Sequence, residues 1–115
     1  MAYVMQTQAI DRMFSALADP HRRGMVERLS TGPATVKELA APIGMRLPSA
    51  VKHLKVLEEG GLVMSRKAGR TRTFTIQTKA LKTIDAWVRN REAAWNKAFD
   101  RLASAMLEIP EEEVH

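Results

Sequence analysis

Apolar residues recur along the chain with a period that changes twice. Ile10, Met13, Phe14 and Leu17 fall at i, i+3, i+4 and i+7, one stripe of a helix over about residues 7–18. Asp19-Pro20 then reads as an N-cap followed by proline at the first helical position. The second helix turns Met25, Val26 and Leu29 inward and Arg22, Arg23 and Arg28 outward, and Thr31-Gly32-Pro33 ends it. Thr35 with Glu38 three residues later forms a capping box for a short helix through Val36, Leu39 and Ala40. Pro42 and Gly44 limit that helix to about two turns. Pro48 opens the next helix, which lines Ala50, Leu54 and Leu57 on its inner face with Val51 beside them and stops at Gly60-Gly61.

The period then becomes two. Leu62 to Lys67 and Arg72 to Ile76 are β-prone runs, and Ala68-Gly69-Arg70-Thr71 supplies the turn of a short hairpin. From Thr78 to about Leu107 helical spacing returns, with Leu81, Ile84, Val88, Trp95, Phe99, Leu102 and Met106 in one stripe. Trp87 widens the stripe and Arg91 interrupts it. About 30 residues at ~1.5 Å each make a rod near 45 Å. A domain of this size is only about 25–30 Å across, so the rod is expected to lie against a second copy.

The chain of 115 residues is short enough for one domain, expected over residues 1–109, with an acidic tail at 110–115. Charge adds a direction. Eight basic residues lie between Arg46 and Lys79 against only Glu58 and Glu59, so this segment carries +6 of a net +5, and the remainder carries −1. A polyanion partner fits that asymmetry, nucleic acid before membrane. No apolar run approaches the roughly 18 residues of a membrane span, and Met1 to Ile10 lacks the pattern of a signal peptide. Cysteine is absent, which removes disulfides, thiolate metal sites and cysteine nucleophiles and fits a cytoplasmic protein. No serine–histidine pairing is suggested, and an enzyme is not expected.

The order of elements is mainly helical with a small β-hairpin, and it contains a helix-turn-helix: the short helix braces and its follower enters a major groove. That second helix leaves Ser49, Lys52, His53 and Lys55 outward, and the hairpin with Lys67, Arg70 and Arg72 forms a wing against neighbouring phosphates. His53 reads equally as a packed residue and as a phosphate contact. Trp87 and Trp95 read as packing.

The chain resembles the winged helix-turn-helix repressors of the ArsR type. The resemblance is carried by Leu17-Ala18-Asp19-Pro20-His21-Arg22-Arg23, by Thr35 to Ala40, by His53 to Val63 and by the Lys67 to Arg72 wing. It covers about residues 8–107 and implies a winged helix with long N- and C-terminal dimerisation helices. It also implies a homodimer that binds an imperfect palindrome in double-stranded DNA and represses transcription. The dimer contact is expected through Ile10, Phe14, Leu81, Ile84, Val88, Trp95, Phe99 and Leu102, and the DNA contact through Arg46, Pro48, Ser49, Val51, Lys52, His53, Lys55, Lys67, Arg70 and Arg72. The other reading is a winged-helix protein-interaction module without specific DNA readout. In two places the chain departs from the family. Val51 stands where a serine often precedes the Lys-His-Leu run, and Arg46 where a serine often starts the helix. Arg46 is therefore a weaker cap that can reach phosphate or guanine, and Val51 can meet a thymine methyl.

Metal sensors of the family use paired cysteines in the short helix, or carboxylates and imidazoles on the last one. This chain has no thiol in the first place and no histidine in the second. His21, His53 and His115 lie far apart in sequence, so no metal and no cofactor are expected. Room is left for a small-molecule effector of unidentified class.

Overall fold

A computed structural model describes residues 2–109, with side chains from Gln8 onward; the expected acidic tail and His115 lie outside the described residues. The elements run α1 (Ala2–Leu17), α2 (Pro20–Leu29), β1 (Ala34–Thr35), α3 (Val36–Ala40), a 3₁₀ turn (Ala41–Ile43), α4 (Leu47–Glu59), β2 (Val63–Ala68), β3 (Thr71–Ile76) and α5 (Thr78–Leu107). They divide into two compact units between Ile84 and Asp85.

In the first unit the helices stop and start where local chemistry dictates. The Asp19 carboxylate accepts the Arg22 amide at 3.1 Å, capping α2 with Pro20 in its first turn. Thr35 and Glu38 form the reciprocal box at α3, at 3.3 and 2.9 Å. Gly44, at φ +63°, turns the chain from the 3₁₀ segment toward α4. Gly61 is the left-handed residue after α4. Its amide bonds back to Glu58 O and that of Leu62 to Leu57 O, both at 3.0 Å, a Schellman closure with Leu57 and Leu62 buried together. Gly60 has ordinary backbone angles but sits where α1 crosses α4: a Cβ there would lie 3.1 Å from Arg12 O and 3.2 Å from the Ala16 side chain.

The core joins Met25, Val26 and Leu29 of α2, Leu39 and Ala40 of α3, Ala50, Leu54 and Leu57 of α4, and Leu62, Val63 and Phe74 around the sheet. All six inward positions read from the periodicity of α2 and α4 are buried. The hairpin is part of a three-stranded antiparallel sheet in the order β1-β3-β2. Ala34 pairs with Phe74 and Thr35 with Thr73, so β3 is central and the capping-box residue of α3 is also a strand end. Gly69-Arg70 is a two-residue turn closed by the Ala68–Thr71 pair. Gly69 has φ +64° and no non-glycine residue described has positive φ, which is the II′ arrangement suited to strand twist.

Helix α5 begins in the first unit, where Ala80 is buried and Ile84 packs partly against the core. From Asp85 to Ile109 every described residue is exposed except half-buried Ala103. That stretch includes Trp95, Phe99, Leu102 and Met106, exposed by 58–70%. No helix among the described residues is long and apolar enough to cross a membrane.

Candidate nucleic-acid interface

The outward face of α4 follows from the burial of its inner one. With Ala50, Leu54 and Leu57 at 1% exposure or less, the 100° step per residue leaves Pro48, Ser49, Val51, Lys52 and Lys55 exposed. Leu47 and Val51, one turn apart, are 43% and 51% exposed. Arg46 occupies the N-cap without a side-chain cap bond, so its guanidinium is not spent on the helix, as its weak capping character predicts. In the sheet, Lys67 and Arg70 are exposed at the strand end and the turn. Among the described residues the side chains of Arg46, Lys52, Lys55, Lys67 and Arg70 make no hydrogen bond or ion pair.

Arg72 differs. Its Nη1 donates to Ser65 Oγ at 2.8 Å, and Ser65 in turn donates to Glu58 Oε1 at 2.7 Å. This chain of bonds ties the hairpin to the last turn of α4. Arg72 therefore braces the wing against the helix rather than presenting a free cation.

A helix-turn-helix domain family matches residues 17–66 of the chain. The HTH-type transcriptional regulator Rv2034 of Mycobacterium tuberculosis is 42% identical over 74 residues, 64% of this chain and 69% of that protein. The crystal structure of the ArsR family transcriptional regulator RHA00566 superposes with a TM-score of 0.74 at 42% identity, covering 78% of this chain and 93% of that one. This chain belongs to the ArsR family of transcriptional regulators. A further relative is the homodimeric winged helix-turn-helix DNA-binding domain of Mb0332 from Mycobacterium bovis, solved in solution. It superposes at 0.66 with 26% identity, over 80% of this chain and 87% of that fragment.

This ArsR-family chain holds α4 in place with a polar junction that sequence spacing does not reveal. Arg22, expected on the outside of α2, folds back half-buried. Its Nε donates to Ala16 O at 2.7 Å and its Nη2 to Ser15 O at 3.2 Å, while Nη1 lies 3.3 Å from His53 Nδ1. Arg23 donates to Leu17 O at 2.8 Å. Two guanidiniums thus satisfy the last carbonyls of α1, the negative end of its dipole. The junction also brings together residues that the sequence keeps apart: His21 and His53 face each other with ring centroids 5.6 Å apart, and Asp19 lies beside both. His53 is half-buried here, between Asp19 and Arg22. Partial desolvation pushes the Asp19 carboxyl up, but the Arg22 amide and the His53 and Arg22 charges outweigh it and hold it below the usual carboxylate value.

Proposed function

We propose that this regulator binds an imperfect DNA palindrome as a homodimer and represses transcription by occupying the operator, with residues 1–109 acting as one functional domain. The observation that carries the reading is the coincidence of five unpartnered cations, Arg46, Lys52, Lys55, Lys67 and Arg70, with one exposed helix face and the hairpin tip beside it. In this assignment Lys52, Lys55, Lys67 and Arg70 neutralise phosphates. Arg46, Ser49 and Val51 reach base edges, and Pro48 sets the entry of α4 into the groove. His53 and Arg72 hold the two DNA-facing elements in register.

The dimer is supported by the bare apolar stripe of α5. A monomer that left Trp95, Phe99, Leu102 and Met106 in water would expose an apolar row of a kind soluble monomers rarely carry. Ile10 and Phe14 of α1 and Leu81, Val88 and the partly packed Ile84 of α5 complete the proposed contact. Two recognition helices then lie about 34 Å apart, one turn of DNA. The test is a footprint and gel shift on the DNA upstream of the protein's own reading frame, followed by transcription in vitro from that DNA. The expected result is a symmetric protected site, bound far more tightly than scrambled DNA, with transcript falling as protein is added. Equal affinity for scrambled DNA overturns the specific reading, and rising transcript overturns repression.

A further inference from the structure

We propose that Asp19, His21 and His53 form a binding site for a divalent transition-metal ion, with zinc the best match. One donor atom from each residue lies within 4.8 Å of the other two. His21 Nδ1 is 3.6 Å from Asp19 Oδ2, and His53 Nδ1 is 3.9 Å from the same oxygen. Tetrahedral zinc with bonds of about 2.0–2.2 Å spaces its ligands about 3.3–3.5 Å apart. Closing the triad on an ion therefore takes about 1 Å of side-chain movement. The His21 side chain, 56% exposed, has the freedom to supply it. Two imidazoles and one carboxylate without thiolate suit zinc and leave a fourth position for water.

Arg22 is the competing cation. Its Nη1 contact to His53 Nδ1, at 3.3 Å, is the longest of its three side-chain contacts, and the other two are to the backbone of α1. An entering ion takes the Nδ1 lone pair, and the guanidinium keeps its carbonyls. The retained positive charge weakens the site without closing it. The ligands come from the cap and first turn of α2 and the middle of α4, so a bound ion bolts those two helices together beside Lys52. The site does not depend on the DNA reading.

The test uses the untagged full chain. Zinc chloride is titrated in competition with a chromophoric chelator, and cobalt(II) chloride is followed by its visible absorption. The expected result is one ion per protomer, held tighter than about 10 µM. His21→Gln is expected to weaken binding at least tenfold, His21→Cys to restore it with a new sulfur-to-cobalt charge-transfer band, and His115→Ala to change nothing. In the unmutated chain, zinc is expected to shift the imidazole NMR signals of His21 and His53 and leave that of His115 unmoved. Binding weaker than 10 µM overturns the site, as does binding that survives His21→Gln or zinc shifts confined to His115.

Discussion

Replacing Arg70 by alanine separates a phosphate contact from a structural role through its salt dependence. Each phosphate neutralised releases condensed counterion, so log K falls with log salt at about −0.9 per contact. The four cations assigned to phosphates, Lys52, Lys55, Lys67 and Arg70, are eight in a dimer, which sets the slope at about −7. Arg70→Ala removes two of them and lowers it to about −5. Between 50 and 200 mM salt the native dimer then loses about 10⁴ in affinity and the variant about 10³. The deficit of the variant shrinks roughly tenfold as salt rises. Fluorescence anisotropy on the footprinted operator, at four or five salt concentrations, measures both slopes. Arg72→Ala, whose guanidinium is held by Ser65 and through it by Glu58, is expected to change the slope less than Arg70→Ala does. An unchanged slope for Arg70→Ala refutes the wing contact, and a larger change for Arg72 refutes the division of labour between them.

Phe99→Asp puts two charges into the proposed dimer seam in place of two rings that are 58% exposed in the isolated chain. The expected loss is on the order of 3 kcal/mol, a dimer weakened 100-fold or more; sedimentation showing an unaffected dimer would remove the seam from α5. Substituting uracil for thymine in the operator deletes one methyl per base. Opposite Val51 this should cost about 0.8 kcal/mol, near fourfold per half-site, with no such cost for Val51→Ala; a native protein indifferent to uracil contradicts the methyl contact. Glu38 is held below the usual carboxylate range by the Thr35 amide and then the Thr35 hydroxyl, and Asp19 is also depressed. The folded state therefore binds fewer protons than the unfolded chain. The stability so gained is complete above the ordinary values of 4.5 and 3.8 and is lost as pH falls through the lower folded values. Thr35→Ala, which keeps the amide and removes the hydroxyl, should lower stability by about 1 kcal/mol at neutral pH and partly flatten the acid limb of a urea midpoint-against-pH curve, and a curve parallel to that of the native chain would show that the hydroxyl does not help depress Glu38.

What local chemistry controls was legible in the sequence. The last helix runs from Thr78 to Leu107 as its periodicity predicts, because 30 residues of one stripe outweigh any single interruption. Arg91, the interruption, lies with its guanidinium 5.2 Å from the Trp87 ring centre, so the two departures from the stripe answer each other. Helix α1 starts at Ala2, ahead of the stripe that announced it, because polar Gln6-Thr7-Gln8 separates Tyr3, Val4 and Met5 from the spacing that begins at Ile10. Strand β1 is two residues long, too short for any alternation, and exists only because Ala34 and Thr35 meet Phe74 and Thr73 some forty positions later.

The candidate site divides along the same line. Lys52, Lys55 and Arg70 are exposed because of where they fall in a helix period or a turn, which is local information. Arg22, His53 and Arg72 look the same in a one-dimensional pattern, yet each is claimed by a partner from another element: Ser15, Ala16 and Asp19 for the first two, Ser65 and Glu58 for the third. A guanidinium on a helix face has no fixed reach in sequence terms. Its long stem lets it turn back onto a neighbouring helix end when unsatisfied carbonyls lie there. The Asp19-Pro20-His21-Arg22-Arg23 segment reads locally as a helix start, and in the fold it is also where the end of α1, the start of α2 and the middle of α4 are joined. In the proposed assignment, the position of α4 therefore rests on residues that do not face DNA. Substitutions in this segment should act on DNA affinity through α4, leaving the count of phosphate contacts, and hence the salt slope, as it was.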